Sequence, residues 1–339
     1  MKNIIFLFIV IVYTLSSPAC NEDQSPAPAN TVYFTNPVVQ GKADPWVIKA
    51  NRSYYYCFSS NNRIWVTKSA KLQEIGKDSP KEVWAAIPGT NYSNDLWAPE
   101  LHYLNGKWYI YVAADDGNNF NHRIYVLEGS SQDPQDKFVL KGKLSALTDR
   151  WAIDGTVLTT DDNKMYFIWS GWRGYENAKQ ELYIAPMSNP WTISGERVII
   201  SSPELDWELH GIPLINEGPE VLKHNGSIFI IYSASGSWTD DYCLGQLTFT
   251  GGDILNHTSW IKNELPVFKS TGNVFGPGHA SFVKSPDDKE DWIVYHAAKK
   301  QGSGWDRNIR IQKFIWNSDG SPNFGIPVSE DVKIPVPSE

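Results

Sequence analysis

The sequence predicts an all-β fold, a five-bladed β-propeller with its functional site at one mouth of the central channel. Three observations carry that expectation. The 339-residue chain holds 15 Trp, 16 Tyr and 14 Phe. It breaks roughly every ten residues at Gly, Pro, Asn or Asp, as short strands joined by tight turns do. One hairpin unit recurs five times: an apolar strand, a turn, then a second strand of aromatic and β-branched residues. Aligned at Tyr54, Trp108, Met165, Ile228 and Trp292, the copies step by 54, 57, 63 and 64 residues, a spacing that suits propeller blades and no helical solenoid.

The elements follow in chain order. Residues 1–20 begin Met1-Lys2, continue as an apolar run from Ile4 to Leu15 and end Ser17-Pro18-Ala19-Cys20. A basic start, an apolar stretch too short for a comfortable membrane span and small residues before a cut site make an export signal. Its end resembles the lipobox of bacterial lipoproteins, whose Cys is acylated, so Cys20 is expected to anchor an exported protein at a bacterial outer membrane, at the cell surface or in the periplasm. Residues 21–31, rich in Ser, Pro, Ala and Asn, read as a flexible tether. Residues 32–339 are then a single propeller.

The second strands of its five units are Ser53–Ser60, Lys107–Ala114, Lys164–Gly171, Ser227–Ala234 and Asp291–Ala298. Hairpin turns such as Asn105-Gly106 and Asn225-Gly226 precede them. Cys57 and Cys243 fall inside strand-like runs and read as buried thiols rather than a disulfide.

Charge and composition exclude several functions. A net charge of -8 without clustered Lys and Arg argues against nucleic acid as partner. Three Cys with no C-x-x-C pair, and seven His without metal-ligand spacing, argue against zinc. His102, His122, His210, His224, His257 and His296 read as solvated or core residues.

What starts each unit is more informative. Before the five first strands stand Asp44 (ADPWVI), Pro99-Glu100 (WAPELHY), Asp154 (IDGTVL), Glu217 (NEGPEVL) and His279 (GHASFV). The innermost strands of a propeller line its channel, so these residues converge at one mouth. Gathering carboxylates there costs free energy through desolvation and repulsion, which points to chemistry. Hydrolysis of a glycosidic bond needs that arrangement: a protonated carboxyl for the leaving oxygen, an ionised one to activate water, and a third to tune the first.

The ordered set Ala43-Asp44-Pro45, Leu96-Trp97-Ala98-Pro99-Glu100, Ile153-Asp154-Gly155, Asn216-Glu217-Gly218-Pro219-Glu220 and Gly276-Pro277-Gly278-His279 resembles glycoside hydrolase family 43. That family consists of five-bladed propellers that cleave arabinose- and xylose-containing glycans with inversion. The resemblance implies that Asp44 is the general base and Glu217 the general acid, with Asp154 orienting Glu217 and raising its pKa. Glu220 is the rival for the acid, but it falls inside the strand run rather than at its entry. Arg307 matches the sugar-binding Arg, with Arg310 as the alternative, and Trp97 would wall the pocket. His279 matches a channel His near a calcium or sodium ion held mostly by water, and no organic cofactor is implied.

The style of Leu96–Tyr111 and Arg307–Phe314 is similar to exo-acting α-L-arabinofuranosidases. β-Xylosidase, exo-galactosidase and endo-arabinanase remain on the same fold, and the chain lacks the C-terminal sandwich of many β-xylosidases. A non-catalytic glycan-binding propeller is the alternative of another class. Nothing beyond the tether asks for a protein partner, so a monomer is expected.

Overall fold

The computed structural model describes residues 31–339; the export signal and nearly all of the tether lie outside the described residues. Five antiparallel blades follow one another. Blade I is Trp46–Ala50, Ser53–Ser60, Arg63–Ser69 and Lys81–Ala85. Blade II is Asn94–Leu104, Lys107–Asp115, Arg123–Gly129 and Phe138–Leu144. Blade III is Ala152–Thr159, Met165–Gly171 and Lys179–Asn189, edged by Thr192–Ile193 and Val198–Ser201. Blade IV is Leu214–His224, Ser227–Ala234, Cys243–Phe249 and Trp260–Lys262. Blade V is Phe275–Lys284, Asp291–Ala298, Arg307–Trp316 and Pro322–Asn323. The expected second strands coincide with the observed ones to within one residue at either end.

The aromatic second strands are explained by what lies on either side of a blade. Tyr54, Tyr56 and Phe58 point into the seam with blade V, while Tyr55 and Cys57 point into the seam with blade II. Each of the other seams is filled in the same way, II with III around Tyr111 and Phe167, III with IV around Ile168 and Ile230, and IV with V around Phe229 and Tyr295. A strand buried on both faces has no polar side, so it reads as a continuous apolar run rather than an alternating one. Every fully buried side chain of this size stabilises the seam by about 1.5–3 kcal/mol. Cys57 and Cys243 are buried free thiols, as expected.

The first strands of the blades pack one upon the next around the channel. Both ends of the described chain meet blade V. Tyr33–Phe34 pairs with Ile334–Pro335, and Val39 bridges Ile309. Buried Asn36 donates from Nδ2 to the Ile311 carbonyl and accepts at Oδ1 from the Ile311 N–H, at 3.0 and 2.9 Å.

Candidate active site

One backbone device positions the site in all five blades. Asp44, Ala98, Asp154, Gly218 and His279 each adopt a left-handed conformation, with φ of 49, 41, 53, 53 and 47°. In blades II to V the register of the first strand slips at this residue, so it sits in a β-bulge. A bulge turns the side chains beside it out of the pleat, here into the channel mouth. Left-handed φ is costly for residues other than Gly, and such strain collects at functional sites.

The bulge alters the alignment expected from sequence. In blades II to V the first strands continue through the mouth, whereas in blade I the strand starts at Trp46, beyond Asp44; Gly218, not Glu217, occupies the place of Asp44 and Asp154. Glu217 precedes the bulge, as Trp97 does in blade II. Pro follows three of the left-handed residues, in Asp44-Pro45, Ala98-Pro99 and Gly218-Pro219, and keeps them out of the right-handed helical region without specifying the left-handed one.

A cavity of about 500 Å³ opens at this mouth, and Asp44, Trp97, Asp154, Glu217, His279 and Arg307 all line it. Asp44 Oδ1 lies 3.3 Å from His279 Nδ1, 3.2 Å from His296 Nδ1 and 3.5 Å from Arg307 Nη1. The Asp44 N–H also donates to His296 Nδ1 at 3.1 Å. Its side chain is 31% exposed, open to water from the cavity. Glu217 is buried, and its Oε1 accepts from the Tyr242 hydroxyl at 2.8 Å. Asp154 Oδ2 accepts from the Gly218 N–H at 3.0 Å, so it grips the backbone immediately after Glu217.

Arg307 donates to the Ser237 carbonyl and faces the cavity. Arg310 is spent elsewhere, on Glu330 at 2.5 Å. Trp97 lies at the cavity wall with its ring stacked 4.0 Å from that of His122. His122 is in turn held by the Asp95 carbonyl at 2.9 Å and Asp115 Oδ2 at 3.0 Å. Sequence reasoning passed over Tyr242, His122 and His296, which act on site residues across 25 to 252 positions of chain and leave no local motif.

The carboxyls are driven in opposite directions. Burial works against ionisation of Asp44, but His279, His296 and Arg307 outweigh it and hold the carboxyl well below its usual range. Burial also pushes both histidines down, His296 to about 3. Glu217 is pushed up to about 7, by burial first and then by the Asp44 charge, against the Tyr242 hydrogen bond and Arg307. Asp154 is raised as well, by burial and then by Glu217 and Asp44.

Glu220 lies past the bulge, buried outside the cavity lining, and burial pushes its carboxyl up. Glu100 is raised by burial and by Glu220, and His102 Nε2 lies 2.9 Å from its Oε2. His279 Nδ1 faces Asp44, and among the described residues no three His, Cys, Asp or Glu side chains gather as a metal-ligating set.

Comparison with known proteins agrees with this geometry. Glycosyl hydrolases family 43 matches residues 34–322. The chain is 37% identical over 343 residues to an extracellular exo-alpha-(1->5)-L-arabinofuranosidase of Streptomyces avermitilis, covering 96% of this chain and 69% of that protein. It is 35% identical over 326 residues to alpha-L-arabinofuranosidase 43 of Humicola insolens, covering 92% and 66%. The crystal structure of an alpha-L-arabinofuranosidase from Lactobacillus brevis superposes with a TM-score of 0.83 at 35% identity, over 88% of this chain and 98% of that one. The chain is a glycosidase with the five-bladed fold, and it belongs to family 43 of the glycosyl hydrolases.

Proposed function

We propose that the protein is an inverting α-L-arabinofuranosidase that removes terminal arabinofuranosyl units from plant polysaccharides or oligosaccharides. The observation that carries the mechanism is that one cavity holds two carboxyls pushed in opposite directions, Asp44 toward the ionised form and Glu217 toward the protonated one. Asp44, beside Arg307 and open to solvent, takes a proton from water as its oxygen attacks the anomeric carbon. Glu217 gives its proton to the departing glycosidic oxygen, and the configuration inverts. Asp154 fixes the Gly218 backbone and through it the aim of Glu217. Arg307 and His279 bind the sugar beside Asp44, and Trp97 offers its face to the sugar C–H surface.

The choice of arabinose rests on relatives named as arabinofuranosidases, and the exo mode on those named exo-acting. Two of these are named extracellular, in keeping with export. The test is release of 4-nitrophenol from its α-L-arabinofuranoside and β-D-xyloside. Arabinoside cleavage that vanishes in Glu217→Gln is expected. Cleavage of the xyloside alone would replace the reading with a β-xylosidase.

A further inference from the structure

The acid side of the cavity carries an aromatic surface with no part in the steps above. The loop 235–242 borders Glu217 through Tyr242 and carries Ser237, whose carbonyl accepts from Arg307. A second loop, 299–306, is tied to it: the Gly302 N–H donates to Asp240 Oδ1 at 2.9 Å, and Trp305 Nε1 donates to Ser237 Oγ at 3.1 Å. Trp305 meets Trp238 edge to face, ring centroids 6.1 Å apart and planes at 77°. Both rings line the cavity, yet Trp305 is 68% exposed, more than any other large aromatic of the described residues except Tyr175. An indole fixed through its N–H and by a T-shaped ring contact, with most of its surface left to water, is a prepared stacking surface.

Its location decides what stacks there. In an inverting reaction the acid and the water lie on opposite sides of the anomeric carbon, and the leaving unit departs on the acid's side. The base stands at the entry to blade I, whereas Trp238 lies on the loop that ends at Tyr242, the hydrogen-bond partner of the acid, and Trp305 is tied to that loop through Ser237. We propose that Trp305, backed by Trp238, binds the leaving-group sugar, a second pentofuranosyl unit of the glycan, on the face of its indole. This rests on the arabinofuranosidase reading and gives the site a preference for oligosaccharides over glycosides whose leaving group is small.

The experiment compares an α-1,5-linked arabinofuranosyl disaccharide with methyl α-L-arabinofuranoside, whose methanol cannot use the surface. In Trp305→Ala, kcat/KM for the disaccharide is expected to fall about tenfold, mainly through KM, while methyl glycoside hydrolysis stays within about twofold. Trp305→Phe should recover most of the loss, and an unchanged melting temperature would establish that the fold is intact. Equal losses on both substrates, or no loss on either, would overturn the subsite and leave the reaction standing. A wild-type enzyme inactive on both arabinosides would overturn the subsite and the arabinofuranosidase reading together.

Discussion

Asp44 and Glu217 are both acids at the mouth of one channel, and their different surroundings suit them to the two roles of the proposed reaction. Asp44 opens to the cavity beside a guanidinium, while Glu217 is buried under a tyrosine hydroxyl. Asp44→Asn is expected to lower kcat by at least about a thousandfold with little change in melting temperature, because it removes the base and leaves the packing. The acid must be protonated to act, so activity should fall as pH rises through about 7. Stability follows the same sign. A carboxyl raised from 4.5 to about 7 on folding contributes stability that is complete below 4.5 and lost as pH climbs to about 7. Glu217→Gln lacks that loss, so its stability relative to wild type should increase across this window by about 1–3 kcal/mol, read from denaturant melts at pH 4.5 and 8. Equal differences at both pH values would mean that Glu217 titrates normally.

The unit of design at the next scale is the bulged first strand. Five left-handed residues hold the mouth open, four of them with side chains. In blade IV the position is a glycine because a Cβ there would come within 3.1 Å of the His279 ring. Gly218→Ala is therefore expected to displace Glu217 and His279 together, lowering kcat more than about tenfold while the protein stays folded. Steady-state kinetics beside a thermal melt would check it, and unchanged kcat would show that the bulge does not set the acid. This element was half legible in the sequence. The return of Asp44, Asp154, Glu217 and His279 at strand entries located the mouth, but spacing alone could not show that the backbone turns left-handed there. Glu217 was consequently matched to the wrong bulge position, one residue early.

Across the whole molecule, the blades were legible because each second strand is buried on both faces and so keeps an unbroken apolar run such as Tyr54–Phe58 or Ile228–Tyr232. Ring closure was not, since it depends on contacts between the two ends of the chain: Tyr33–Phe34 against Ile334–Pro335, Val39 against Ile309, and the Asn36 side chain on a backbone 275 residues away. Asn36→Ala would leave the Ile311 N–H and C=O without their partner, costing about 2–3 kcal/mol of stability with the site chemistry retained. A lower melting temperature with normal kcat at 25 °C would confirm that closure and catalysis are separate. Of the supporting residues, only His296 meets its partner, Asp44, across the ring closure; Tyr242 and Glu217 share blade IV and His122 and Trp97 share blade II, each pair brought together across the strands of one blade and 25 positions apart in the chain.

The central claim is that Asp44 and Glu217 work on opposite faces of an α-L-arabinofuranosyl unit. Proton NMR of the first arabinose released, before its anomers equilibrate, tests this most directly. The account predicts the β-anomer as the initial product. Initial release of the α-anomer would contradict it and require a covalent intermediate.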